Sequence, residues 1–316
     1  MRVVFCGTPQ FAVPTLQALQ VAGHEIQLVV SQPDRPVGRK QVVEPTPVKQ
    51  AALVAGLPIT QPDKIRNNTE FRARLEAIAP DAIVVVAYGR IIPGWMLALP
   101  KHGCINLHGS LLPKYRGAAP IQWAVAMGET VTGNTTMVLE EGLDTGPTLL
   151  QQEVPIGQEQ TATDLFEVLA ERGAPLMVET LAGLAGRSLQ PKPQDHARAT
   201  LAPILMREDG HMDFGARTAT ELRNRWRGFQ PWPGAFALLE GKKLIVHRME
   251  VVPAERAPDH GAAEPGSLLV DENRMLVGCA QGTWLALTEL QLEGKKRMTA
   301  AEFLRGTHLA PGSRLG

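Results

Sequence analysis

The segment HGCINLHGSLLPKYRGAAPIQW, residues 102–123, brings an amide, an imidazole and a tight turn together within a few positions. If Cys104–His108 is a strand, Ile105 and Leu107 face one way and Asn106 and His108 the other, because successive side chains alternate across a pleat. Gly109 and the turn from Ser110 to Pro113 follow at once, so these polar groups sit at the carboxyl end of a parallel strand, where open α/β sheets bind ligands. Farther along, Asp144 stands in the loop EEGLDTG between Gly142 and Gly146, and its position suits pairing with His108. Acyl transfer to an amine needs a stabilised oxyanion, a proton for the leaving nitrogen and a route for the proton lost by the attacking ammonium. An Asn, a His and an Asp can supply these. Spacing alone leaves a second reading open: a His beside a strand is commonly a hydrogen-bonded structural residue, and an Asp between glycines a turn residue.

The elements that must carry this constellation have an α/β pattern. Arg2–Cys6 reads as a buried strand, Gly7 as a turn, and Thr8-Pro9 as the N-cap and first residue of a helix with Ala12, Leu16 and Leu19 as its apolar stripe. Glu25–Ser31 and the almost continuously apolar Ala82–Ala87 read as further strands, the latter of the kind covered on both faces. Strands alternating with helices imply a mainly parallel sheet. Gly7-Thr8-Pro9 lacks the GxGxxG spacing of a dinucleotide site, and Pro9 offers no amide donor, which disfavours a nicotinamide cofactor. QPDRPVGRKQ, Gln32–Gln41, reads as an exposed loop. Thr132–Leu139 and Pro147–Val154 form a strand pair around the Asp144 loop, and a helix over Ala162–Ala185 closes the first domain, residues 1–188. Residues 189–208, with Pro191, Pro193 and Pro203, read as an extended linker.

Residues 209–316 form the second domain. Thr218–Arg227 reads as a short helix, with Leu222 and Trp226 inward, Arg223 and Arg227 outward, and Gly228 as its cap. Five short strand candidates follow, at Ala235–Leu239, Leu244–Val252, Gly266–Val270, Met275–Val277 and Trp284–Leu290, which suggest a small OB-like β-barrel. Formal net charge is zero, so any nucleic acid must be held by local patches. The start MRVVFCG lacks the apolar core of a secretory signal, and no window is apolar enough to span a membrane. A cytoplasmic chain with no membrane contact is expected. Cys6, Cys104 and Cys279 have no metal or disulfide spacing and read as buried thiols.

Longer stretches sharpen this. FCGTPQFAVPTLQAL, SQPDRPVGR, VVVAYGRIIP, INLHGSLLPKYRGAAPIQWA, GLDTG, REDGHMDF and RGFQPWPGAF occur in the order and at the spacing that resemble the methionyl-tRNA formyltransferases along nearly the whole chain. The resemblance implies a Rossmann-like formyltransferase domain that takes 10-formyltetrahydrofolate as formyl donor, followed by an OB-like domain that helps hold initiator methionyl-tRNA. It implies catalytic roles for Asn106, His108 and Asp144, and a folate segment at Ser110, Leu111, Leu112 and Pro113. Backbone groups at Tyr88 and Gly89 would line the pterin pocket. The Gln32–Gln41 loop would reach toward the tRNA acceptor end, with Arg39 and Lys40 in contact, although GRKQVVEP is less basic than the usual run. Arg223, Arg225 and Arg227, and Lys295, Lys296 and Arg297, are further candidates for phosphate, set against plain solvated faces. No metal is required, and a monomer is expected.

In the implied reaction the neutral α-amine attacks the formyl carbon, Asn106 and His108 stabilise the oxygen, and Asp144 orients the imidazole. Two rivals remain. One is a folate enzyme acting on another amine or hydrolysing the donor, against which the second domain and PWPGAF speak. The other is a noncatalytic RNA-binding protein, which would need exposed aromatics on the barrel; aromatic content is 5%, and Trp226 and Trp284 are expected in cores.

Overall fold

A computed structural model describes residues 1–37, 42–258, 264–271, 274–310 and 312–316. The chain divides into two compact units, the first comprising residues 1–121, 131–156 and 164–203, the second residues 122–130, 157–163 and 204–316.

The first unit is built on β1 (Arg2–Gly7), α1 (Val13–Val21), β2 (Glu25–Val30), β3 (Arg35–Val37), β4 (Val42–Glu44), α2 (Pro47–Val54), β5 (Ile59–Thr60), α3 (Thr69–Ile78), β6 (Ala82–Val86), α4 (Gly94–Leu97) and β7 (Cys104–His108). After α5 (Pro120–Ala126) come β8 (Val131–Val138), β9 (Thr148–Pro155) and the long α6 (Ala162–Ala185). A seven-stranded sheet runs β5-β2-β1-β6-β7-β8-β9, parallel from β5 to β7 and antiparallel at β8 and β9. All five residues of β6 are buried, as a central parallel strand requires. Strand order reverses between β1 and β6, so the segments that leave the carboxyl ends of β1, β6 and β7 meet where such sheets take ligands. Side chains of Val4, Cys6, Leu28, Ile83, Tyr88 and Met96 form a core on one side of the sheet.

Several local expectations change. Thr8 does not cap a helix: a short 3-10 turn, Gln10–Ala12, precedes α1, whose N-cap is Ala12. Thr8 Oγ1 instead donates to Tyr88 O at 3.0 Å and accepts from Gln32 N at 3.4 Å, tying together the segments that follow β1, β2 and β6. Within the expected irregular loop, β3 pairs with β4 as an antiparallel hairpin stem. Its base is held by Asp34, which accepts from Gln61 Nε2 at 2.6 Å and pairs with Lys49. The Pro-rich stretch after α6 is extended but not free: Lys192 bridges Thr148, and Arg116 exchanges backbone hydrogen bonds with Thr200 and Ala202.

The second unit holds α7 (Ala219–Gly228), β10 (Phe236–Leu239), β11 (Lys242–Val251), β12 (Leu268–Asp271), β13 (Arg274–Gly278), β14 (Trp284–Leu292), β15 (Met298–Thr299) and α8 (Ala300–Gly306). Its antiparallel sheet runs β10-β11-β14-β13-β12, with β15 on β14. Ser313–Gly316 bridges the two edges. Gly316 O accepts from Leu238 N at 2.6 Å, Ser313 O from Leu268 N at 3.0 Å, and Leu315 N donates to Gly266 O at 2.8 Å. The result is the expected small barrel-like wall, filled by Leu244, Val246, Leu285, Leu287, Leu290 and Phe303. Thr218 and Glu221 cap α7 reciprocally, as Thr299 and Glu302 cap α8. Gly228 is inside α7 and not its cap. A Cβ there would stand 2.5 Å from Gln122 O and 2.6 Å from Ala126 N, so glycine serves close backbone packing. Trp284 is buried and Trp226 packs partly buried on the core, as expected.

Candidate active site

β7 lies between β6 and β8, with Asn106 opposite Val85 and Met137, and His108 opposite Thr135. Ile105 and Leu107 are buried, whereas Asn106 is half-buried. The Asn106 amide makes no hydrogen bond to another described residue, so its donors are available to a ligand. His108 is 6% exposed and its Nε2 lies 2.9 Å from Tyr115 O. A carbonyl oxygen only accepts, so Nε2 carries the proton and Nδ1 is the nitrogen left for exchange. That Nδ1 lies 3.8 Å from Asp144 Oδ2, an ion-pair separation longer than a hydrogen bond.

Asp144 adopts a left-handed backbone, φ 49°, which Asp tolerates better than most residues. The same Oδ2 accepts the Gly117 N–H at 2.8 Å, which aims the carboxylate at the imidazole. The expected pairing of His108 with Asp144 is therefore present as a contact. Tyr115 and Gly117, which complete it through backbone groups, give no side-chain signal in the sequence.

The turn after β7 is held from below. Thr135 Oγ1 donates to Ser110 O at 2.6 Å and accepts from Leu112 N at 3.1 Å, and Gln151 Nε2 donates to Leu112 O at 2.8 Å. Ser110 and Leu112 are buried, leaving Leu111 and Pro113 as the partly exposed members of this segment. Sequence reasoning missed Thr135 and Gln151. The available signal was the polar run Thr132, Asn134, Thr135 and Thr136 along one strand; all four are buried.

At the end of β6, the Tyr88 side chain is 1% exposed within the core, and its hydroxyl is buried without a partner among the described residues. Burial, with Cys6 nearby, pushes that hydroxyl's pKa up. Tyr88 O accepts from Thr8 Oγ1 and, at 2.9 Å, from Gln32 Nε2, which also donates to Gly89 O at 3.1 Å. The three thiols are buried as expected, and burial pushes those of Cys104 and Cys279 to about 12, removing them as nucleophiles at neutral pH. Among the described residues no cluster of three or more His, Cys, Asp or Glu could hold a metal ion, and no helix is long and apolar enough to cross a membrane.

The basic candidates divide. Arg39 and Lys40 lie outside the described residues. Arg227, expected outward, is instead 5% exposed: it donates to Gly157 O and Gln160 O at 3.0 Å and to Asn224 Oδ1 at 2.8 Å, so its terminal nitrogens act as an internal brace. Arg223 is tied to Glu159 and Gln158 O. Arg225 sits over Phe229, 4.7 Å from its ring centre, and bonds Asp209 O. Arg297 pairs with Glu289. Lys295 and Lys296 are exposed between β14 and β15.

Against known proteins, residues 1–181 match the Formyl transferase family and residues 204–308 the Formyl transferase, C-terminal domain family. The methionyl-tRNA formyltransferase of Acidobacterium capsulatum is 65% identical over 316 residues, covering all of both chains. The chain belongs to the methionyl-tRNA formyltransferase family. The Koribacter versatilis member is 56% identical over all of this chain and 99% of its own. Among solved structures, the Helicobacter canadensis N-formyltransferase in complex with folinic acid and dTDP-3-aminofucose superposes with a TM-score of 0.65 at 17% identity, over 90% of this chain and 98% of that one. A glycinamide ribonucleotide transformylase from Symbiobacterium toebii gives 0.52 at 22% identity, over 62% of this chain and 94% of that one. At these identities the likeness is one of fold.

Proposed function

We propose that this chain transfers the formyl group of 10-formyltetrahydrofolate to the α-amino group of methionyl-initiator tRNA, giving N-formylmethionyl-tRNA in the cytoplasm. The observation that carries this reading is full-length identity of 65% to a methionyl-tRNA formyltransferase, together with Asn106 and His108 on one strand face and Asp144 beside His108. The likeness to the Symbiobacterium transformylase spans 62% of this chain, against all of it for the methionyl-tRNA formyltransferase relative.

Formyl donor and acceptor enter as substrates. The amine nitrogen bonds to the formyl carbon, negative charge gathers on the formyl oxygen, and collapse breaks the bond from that carbon to N10, which takes up a proton as the amine loses one. Asn106 offers unspent amide donors to that oxygen. With Nε2 committed to Tyr115 O, His108 donates to that oxygen only as an imidazolium that also carries a proton on Nδ1. Asp144 holds the imidazole plane from the side and gives the departing amine proton an acceptor. The partly exposed Leu111 and Pro113, with backbone of residues 88–89, would hold the pterin; this use requires no metal. Residues 1–188 would carry the chemistry, with residues 209–316 holding tRNA as a monomer. Lys295 and Lys296 remain the phosphate candidates with exposed side chains, with Arg39 and Lys40 proposed on the resemblance alone.

The test is a mass measurement on the acceptor. Incubation with methionyl-tRNA and 10-formyltetrahydrofolate should add one formyl group to the esterified methionine, and omission of either substrate should abolish it. Formylation of an amino sugar or of glycinamide ribonucleotide in preference to the aminoacyl-tRNA would refute the assignment. Full-strength RNA binding with no donor binding would favour a noncatalytic role.

A further inference from the structure

Gln194 lies in the Pro-rich stretch that reads as a connector, yet it is 8% exposed and all of its amide is in use. Its Nε2 donates to Asp144 O at 2.8 Å and to Gly146 O at 2.7 Å, one hydrogen to each. Its Oε1 accepts from Arg116 Nη2 at 2.7 Å and Nε at 3.1 Å. Arg116 is itself buried, and its Nη2 also meets His196 Nδ1 at 3.1 Å. Arg116 precedes Gly117, whose N–H holds the Asp144 carboxylate, and follows Tyr115, whose carbonyl holds His108.

One side chain therefore grips the backbone of the Asp144 loop on both sides of Thr145 and locks it to the segment that fixes both His108 and the Asp144 carboxylate. The loop needs such a grip. Asp144 is in the left-handed region, and Gly146 packs so closely on β8 that a Cβ would fall 2.0 Å from Val138 O. An amide is suited to the task because it offers two donors and an acceptor at once, whereas a carboxylate only accepts.

We infer that Gln194 is a positioning residue for formyl transfer: the apparent connector is a strap whose Gln194 amide sets the Asp144 loop against His108. This rests on the reading of Asp144 as a member of the transferring group. Displacement of a reacting group by about 1 Å can cost on the order of 100-fold in rate, and Gln194 controls a displacement of that kind without touching substrate.

The experiment measures kcat, KM for methionyl-tRNA and the Kd of tetrahydrofolate in the full-length protein, for Gln194→Ala, Asp144→Ala and the double variant. Gln194→Ala should lower kcat by about 100-fold, with KM and tetrahydrofolate affinity within about twofold of the parent, and should add almost nothing once Asp144 is already alanine. Gln194→Glu keeps the volume and the Arg116 contact but sets an acceptor against two carbonyls; it should lose kcat similarly, and it serves as the second readout should the alanine variant fail to fold. Undiminished kcat in a folded variant of either kind would overturn the inference, as would a full multiplicative loss in the double variant. Parent protein that formylates nothing would instead sink the functional reading, so the two failures are separable.

Discussion

Asn106 on β7 and Arg227 on α7 are both polar side chains on elements with an apolar inner face, and they end in opposite states. The Asn106 amide has no partner among the described residues. Arg227 has spent its terminal nitrogens on Gly157 O, Gln160 O and Asn224 Oδ1, with its Nε buried and unpaired among the described residues. The first therefore has hydrogen-bonding capacity to lend to a reaction, and the second is consumed in holding its own unit together. A charged side chain is a poorer guide to function than an uncharged one when only the former's valences are filled.

That contrast can be broken in several places, and the largest effect falls at β7. Asn106→Ala should reduce kcat for formylation by about 100-fold to 1000-fold, the usual loss for one oxyanion donor, while tetrahydrofolate affinity and thermal midpoint stay near those of the parent. Steady-state rates beside calorimetric binding would decide it, and unaltered turnover would make Asn106 as inert as Arg227. Arg227→Ala should show the reverse. Three acceptors lose a buried donor, so denaturant unfolding should report a loss of about 3 kcal/mol, with tRNA affinity of the remaining folded protein and its salt dependence unchanged. A weakened, salt-sensitive affinity at constant stability would return Arg227 to the RNA surface.

Smaller effects sharpen the same division. Replacing Lys295 and Lys296 together by Ala should make the slope of log affinity against log salt shallower by about one to two, because exposed cations act through counterion release. Stability should not move. At the hairpin base, hydrogen bonds from Gln61 first and Lys49 second hold the Asp34 carboxyl below the ordinary carboxylate range. A depressed pKa adds stability above the unfolded value and loses it as pH falls through the folded one. The stem should therefore keep its amide protection at neutral pH and lose it only below about pH 4. Hydrogen exchange on β4 would register this, and Asp34→Asn should remove the acid-dependent step.

The legible parts of the molecule were those governed by local periodicity. Alternation along Cys104–His108 separates Asn106 and His108 from Ile105 and Leu107, and continuous apolar runs mark β1 and β6 as interior strands. What stayed hidden depends on contacts between residues distant in sequence. The burial of Arg227 is decided by carbonyls near residue 160, and the role of Gln194 by a loop fifty residues upstream. Thr8 has the right type and neighbour for an N-cap, but Tyr88 O competes for its hydroxyl and the helix starts later. The β3–β4 stem was obscured by Pro36, which an edge position tolerates because an outward-facing nitrogen owes no ladder bond.

The bridging by Ser313–Gly316 has a consequence for biogenesis. β10 is synthesised well before the partner that covers its outer side, around Leu315. Until then the nascent sheet carries bare backbone amides and carbonyls along a margin that could recruit a strand from a neighbouring polypeptide. Docking of the stretch around Leu315 closes that margin, so the same few hydrogen bonds that complete the barrel-like wall also shield it from pairing with another chain.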